Sequence, residues 1–297
     1  MASVLKAGQY LRGKLGSYCL SEKLHEHAWT AIESKMGKVV VKTAPTYRLE
    51  NERDVLKRFH GQPSIRPLLD EILEPPCLGL KYLDDHSLRA SNQRQLEKSD
   101  VEFIARRILE SLDALHSAGY VHTDIKPDNI LVNYGSGPGR FSDVQLGDCG
   151  DAYRIPPNVN PKEDGELIGA AMFRSPEATL NLRWCTPTDV RSLGATLISL
   201  IWGKKFHIFK PAEFKPEDEE YLVHVFIKQI SFFGPWHTRF QEIADEDRWA
   251  KCIPFILVED EEVTTEDKVF LCKLMKLDPR DRPSAKELLE DEWLRES

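Results

Sequence analysis

The sequence has no run of roughly 18 apolar residues, the length a helix needs to cross a bilayer, so membrane-spanning helices are not expected. It has no close pair among its six cysteines, Cys19, Cys77, Cys149, Cys185, Cys252 and Cys272. Scattered thiols of this kind point to a reduced, intracellular setting, cytoplasmic or nuclear, rather than to a disulfide framework. The opening residues, MASVLKAGQYLRGKLGSY, lack the compact apolar core of a secretory signal. An excess of positive charge is missing as well. The formal net charge of −8 over 297 residues gives no electrostatic support for nucleic-acid binding. No internal repeat emerges. Between Asp148 and Ser175 there is no serine or threonine, and Tyr153 carries the only hydroxyl. A phosphate-driven ordering switch would find little to act on there.

What is present suits a large core: 41% of residues are hydrophobic and 30% charged. The first part reads as strands interrupted by one helix. KVVVK, ending at Lys42, is a β-branched run, whereas RLENERDVLKRF (48–59) has helical spacing that puts Leu49, Glu52, Leu56 and Phe59 on one face. CLGLKYL is expected to form a strand leading into a connector near Asp84 and Asp85. From about residue 86 helices dominate. DVEFIARRILESLDALHSAG (100–119) carries an apolar stripe through Val101, Ile104, Ile108, Leu112 and Leu115, with Gly119 as terminator. YGSGPGR (134–140) reads as a turn between short strands, and DVRSLGATLISLIWG (189–203) as a core helix. The expectation is an α+β chain with a small strand-rich lobe, 1–83, and a larger helical lobe, 84–297, forming one catalytic domain.

The densest chemistry lies in HTDIKPDN, residues 122–129. Asp124 and Asn129 are five residues apart, and Asp148 follows the next pair of short strands. A fold could gather these oxygen donors around a divalent cation or a phosphate, and magnesium prefers oxygen ligands shared with phosphates and water.

The ordered set VVVK (39–42), HTDIKPDN (122–129), DCG (148–150), SPE (175–177), DVRSLG (189–194) and DPRDRP (278–283) resembles a eukaryotic-type protein kinase over nearly its whole catalytic domain. The form HTDIKPDNIL looks most like the SR-protein kinases and related fungal serine/threonine kinases, as do FHIFKP, FFGPW and MKLDPRDRP. The resemblance implies a two-lobed fold, ATP and Mg2+ as cofactors, and protein or peptide substrates, with basic, arginine-rich peptides worth testing. It implies that Asp124 orients or deprotonates the incoming hydroxyl and that Lys126 stabilises the transferred phosphate, while Asn129 and Asp148 hold magnesium. Lys42 would contact the nucleotide phosphates, held by Glu52 on the small-lobe helix, with Glu50 as the weaker alternative. Ile32, Lys81 and Leu83 are expected beside the nucleotide. His122, Asp189 and the pair Glu177 and Arg282 are expected to be structural, Asp189 holding the catalytic stretch through backbone hydrogen bonds.

The pattern breaks at several places. In LHEHAWTAI (24–32), His25, His27 and Thr30 align with the three glycines of the turn that covers phosphates. Glycine lets backbone approach phosphate closely, so weaker or differently shaped nucleotide binding is expected. Without a third ligand, the two histidines are not expected to form a zinc site. Thr123 stands where many kinases have an arginine that pairs with a phosphorylated segment, which fits the lack of hydroxyls after Asp148 and argues against control by phosphorylation there. Cys149 replaces a phenylalanine and is expected to be buried and inert. Ala170 replaces a threonine whose hydroxyl helps orient the catalytic aspartate and lysine, and Arg191, in place of a tryptophan, reads as a surface or packing adjustment. The acidic runs 215–221 and 258–267 fit solvated surface better than basic-peptide docking. An active kinase is the favoured reading. The alternative is a pseudokinase, a kinase-fold binding or scaffolding protein with weak or absent turnover.

Overall fold

The β-branched run that ends at Lys42 lies inside a curled antiparallel sheet. In a computed structural model describing residues 5–137, 139–156, 164–234, 239, 242–244 and 265–295, the first strands are β1 (Tyr10–Arg12), β2 (Ser17–His25), β3 (Ala28–Glu33) and β4 (Gly37–Lys42). After helix α1 (Thr46–Arg58) come β5 (Leu68–Ile72) and β6 (Cys77–Lys81), and the six strands assemble in the order β1-β2-β3-β4-β6-β5. Alternation along β4 explains its two faces. Val39 and Val41 join Leu11, Tyr18, Leu20, Trp29 and Ala31 in a cluster on the outer side. Val40 turns inward with Ala28, Leu78 and Leu80 and merges with the main core. Lys42 follows the same alternation and so points to the inner side.

Helix α1 buries Leu49, Glu52, Val55 and Leu56 along one stripe, which brings a carboxylate into an otherwise apolar face. It starts only a few residues after β4, as the short interval between Lys42 and Glu52 requires.

The sheet ends at Lys81, and β7 (Asp85–His86) opens the helical part of the chain. There α2 (Ser87–Gln93) precedes α3 (Lys98–Ser117), whose Ile104, Ile108, Leu112 and Leu115 are fully buried. Each such side chain contributes about 2 kcal/mol of burial free energy. Helix α3 begins at a reciprocal capping box between Glu97 and Asp100 and stops before Gly119, whose φ of +76° most residues avoid. Strand β8 (Tyr120–Val121) then leads through the 122–129 stretch into β9 (Ile130–Tyr134), which pairs with β10 (Phe141–Leu146). The glycine-rich 134–140 segment is the expected turn of this hairpin. Strand β11 (Tyr153–Arg154) pairs back onto β8. Helices α4 (Pro176–Thr179), α5 (Pro187–Trp202) and α6 (Tyr221–Phe233) follow, with shorter helical segments from Thr265 to Arg295.

Of the two readings of Arg191, a surface or a packing adjustment, the structure shows the second. The residue is completely buried in α5, with its guanidinium 5.0 Å from the Phe209 ring centre and 5.4 Å from that of Phe233. Burial and the nearby Arg282 pull its pKa far below the ordinary arginine value, and the two aromatic faces supply part of the solvation it lost. Arginine thus fills a large core site that a tryptophan would suit. Five cysteines are free, and Cys252 lies outside the described residues. So do most of the acidic run 258–267 and the end of FFGPW. Among the described residues no helix is long and apolar enough to cross a membrane.

Candidate active site

The 122–129 stretch is irregular backbone, and one carboxylate holds its start. Asp189, in the first turn of α5, accepts from the backbone N–H of His122 at 2.7 Å and of Thr123 at 2.9 Å, and lies 3.0 Å from His116 Nε2 of α3. The buried His122 ring bridges Gly147 O (Nε2, 3.1 Å) and the backbone N–H of Asp124 (Nδ1, 3.4 Å). That pattern needs the proton on Nε2, so His122 acts as a structural tie. Thr123 sits at φ +70°, and its hydroxyl donates to Asp151 O at 2.9 Å. The threonine in place of arginine therefore ties the catalytic stretch directly to the segment after Asp148.

Asp124 is fixed on three sides. Lys126 Nζ lies 2.6 Å from Oδ2, Asn129 Nδ2 donates to Oδ2 at 3.0 Å and to Asp124 O at 2.8 Å, and the Ala170 backbone N–H reaches Oδ1 at 3.3 Å. Ala170 lacks the expected hydroxyl, but its amide supplies a donor to the same carboxylate. Its approach depends on Gly169. At φ +61°, a Cβ on Gly169 would fall 2.6 Å from Thr123 O.

Across the cleft, Lys42 Nζ is 2.6 Å from Glu52 Oε2 and 2.7 Å from Asp148 Oδ1. Glu52, not Glu50, is therefore the partner, and it is 1% exposed. Burial alone would raise the pKa of Asp148, yet Lys42, with Arg48 and His122, brings it down to about 2. Burial works against the Lys42 charge too, but Glu52 and Asp148 outweigh it and raise its pKa. Asp148 itself is left-handed, at φ 58° and ψ 63°. Asn129 and Asp148 are neighbours because β9 and β10 pair Ile130 with Leu146, and Gly147 N–H donates to Asn129 O at 2.9 Å. Cys149 is fully buried in the cluster that contains Leu56, and burial pushes its thiol pKa up. It is an inert core residue.

The covering segment is a tight hairpin. Strand β2 runs to His25 and β3 resumes at Ala28, leaving Glu26 and His27 as the turn. Thr30 is buried in β3, where its hydroxyl lies 2.7 Å from Ser21 Oγ and accepts from Glu22 N–H at 3.1 Å. A β-branched residue thus pins strand pairing where glycine would loosen it. Burial, then the Lys42 charge, lowers the pKa of His25, which disfavours the imidazolium that could pair with phosphate. Ile32 lies away from this group. The register pairs Ala28 with Lys42, Thr30 with Val40 and Ile32 with Lys38, which puts Ile32 roughly 13 Å along the strand from Ala28, with half its surface exposed. Thr30 takes the inward position opposite Val40.

On the connector, Lys81 Nζ turns away to Asp143 at 2.7 Å while its carbonyl accepts from Arg66 Nε at 2.8 Å; Leu83 is buried. Motif reading missed Arg66 and Arg48. Arg48 lies 3.8 Å from Asp148 and 2.5 Å from Asp151, and its place four residues before Glu52 on one helix was the available signal. The buried pair Glu177 and Arg282 is bidentate, at 2.6 and 2.8 Å, and Arg282 also donates to three backbone carbonyls.

Similarity to known proteins agrees with this geometry. The family model for the protein kinase domain matches residues 13–294, and the chain belongs to that family. It is similar to the mitogen-activated protein kinase mpkA from two strains of Aspergillus fumigatus, each 26% identical over 298 residues, spanning 95% of this chain and 67% of the relative.

Proposed function

We propose that the chain transfers the γ-phosphoryl group of ATP, with magnesium, to serine or threonine hydroxyls of protein substrates inside the cell. The observation that carries this reading is a double one: Lys42 spans Glu52 and Asp148 while Asp124 is held by Lys126, Asn129 and the Ala170 amide. In the transfer, the bond between the γ-phosphorus and the β–γ bridging oxygen breaks and one forms to the acceptor hydroxyl oxygen. The hydroxyl proton passes to Asp124, leaving ADP and a phosphoester. Lys126 balances charge on the moving group and Lys42 holds the remaining phosphates, so the protein supplies position and electrostatics.

The donor set fits magnesium. Asn129 uses its Nδ2 on Asp124, which leaves Oδ1 without a hydrogen bond among the described residues, and Asp148 is a carboxylate whose Oδ2 likewise has none there. Bound there, the ion would neutralise phosphate charge. The name of the fungal relative supports protein kinase activity, and the motif likeness to SR-protein kinases supports arginine-rich peptides as the substrates to try first. The acidic run 215–221, exposed over 215–220, adds negative surface.

Arg66 on the Lys81 carbonyl, together with the glycine-free hairpin, favours a second reading, a kinase-fold scaffold with little turnover. Radiolabelled phosphate transfer to a Ser/Arg peptide library separates the two. The expected result is transfer that Asp124→Ala lowers by about 10²–10⁴-fold; label incorporation equal in the two proteins, or absent from both, sinks the enzyme reading.

A further inference from the structure

The base end of the cleft carries a group that no motif accounts for. Arg66 is fixed at its backbone, where N–H donates to Leu146 O at 2.9 Å, and its Nε donates to the Lys81 carbonyl at 2.8 Å. Glu52, Asp148 and His25 all interact electrostatically with this guanidinium. It therefore lies among the connector, the Lys42 ion pair and the covering hairpin. Burial drags its pKa down to about 10, still leaving it charged at neutral pH. No carboxylate pairs with it among the described residues, and Nη1 and Nη2 make no hydrogen bond there. Two N–H-bearing nitrogens are thus left without a hydrogen bond among the described residues, beside a carbonyl that is already engaged.

Taking the cleft as a nucleotide site, we propose that Arg66 selects the base, favouring a purine with a carbonyl oxygen at C6 over adenine. An exocyclic amino group reaching the connector edge would need the Lys81 carbonyl and would meet the guanidinium donor against donor. A 6-oxo group meets the same donors as an acceptor, and a hydrogen bond to a charged group is among the stronger ones. The planar guanidinium can also stack on a purine ring, whereas an ammonium offers no flat face to do so. The triphosphate chemistry is unchanged and ATP remains a donor; the guanidinium sets only which base the cleft holds more tightly.

Calorimetric titration of the full chain with MgATP, MgGTP and MgITP tests this. Inosine removes the 2-amino group as a variable, leaving the C6 oxygen and the N1–H that accompanies it as the differences from adenosine. The wild type is expected to bind ITP and GTP roughly tenfold more tightly than ATP, and Arg66→Val to move the ratio towards ATP by freeing the Lys81 carbonyl. ATP binding to the wild type as tightly as ITP overturns the proposal, and this comparison needs no variant to fold. A preference that survives in Arg66→Val overturns it too. In either case nucleotide still binds and the phosphotransfer reading stands, whereas no binding of any nucleotide to either protein brings down both.

Discussion

At the scale of single residues, Asp148 concentrates the electrostatics of the cleft. Its pKa of about 2 lies below the ordinary 3.8, so it adds stability that is complete above about pH 4 and fades as pH falls towards 2. The full contribution is roughly 2 kcal/mol. Urea unfolding should show Asp148→Asn less stable than wild type by about that much near neutrality, with the gap narrowing below about pH 4 and closing only as pH falls through about 2; a gap of constant size from neutrality down to about pH 2 contradicts the assignment. Lys42, Asp124, Lys126, Asn129 and Asp148 were legible because each sits in a short motif, and Glu52 because helical spacing set it on the buried face. Arg66 was not. Its meaning depends on a carbonyl fifteen residues away that only the β6 strand end brings to it, and local sequence carries no mark of that.

At the scale of elements, helices were legible to within a few residues because apolar spacing is strong in α1, α3 and α5. The expected starts at residues 100 and 189 fell short of the observed Lys98 and Pro187. Caps and an N-terminal proline extend a helix beyond its apolar stripe. The covering hairpin was less legible, since motif alignment marks where glycines are missing but not that Thr30 closes the strand pair in their place. The 169–177 segment rests on a glycine with φ +61° and no space for a Cβ. Gly169→Ala is expected to shift Thr123 and the Ala170 amide, costing about 1–3 kcal/mol of local strain. Phosphate transfer should then fall more than global thermal stability. Unchanged transfer would mean that the amide contact to Asp124 is dispensable.

At the scale of the whole molecule, Glu177 and Arg282 join segments 105 residues apart in sequence. Glu177→Ala leaves a buried guanidinium without its carboxylate, and chemical denaturation should register a loss of about 3–5 kcal/mol; a loss under about 1 kcal/mol would show that the three carbonyls suffice for Arg282. This long-range pair was legible only through resemblance, because neither periodicity nor spacing links its halves. Asp189 has a different reach. By gripping His122, Thr123 and His116 together, it makes Asp124 travel with α3 and α5, whereas Lys42 and Glu52 belong to the sheet and α1. The phosphate grip meets the acceptor side along one seam, where Lys42 reaches Asp148 at 2.7 Å and Asn51 of α1 donates to Gly150 O and Ala152 O, so any change in the spacing between Lys42 and Asp124 has to be taken up at that seam.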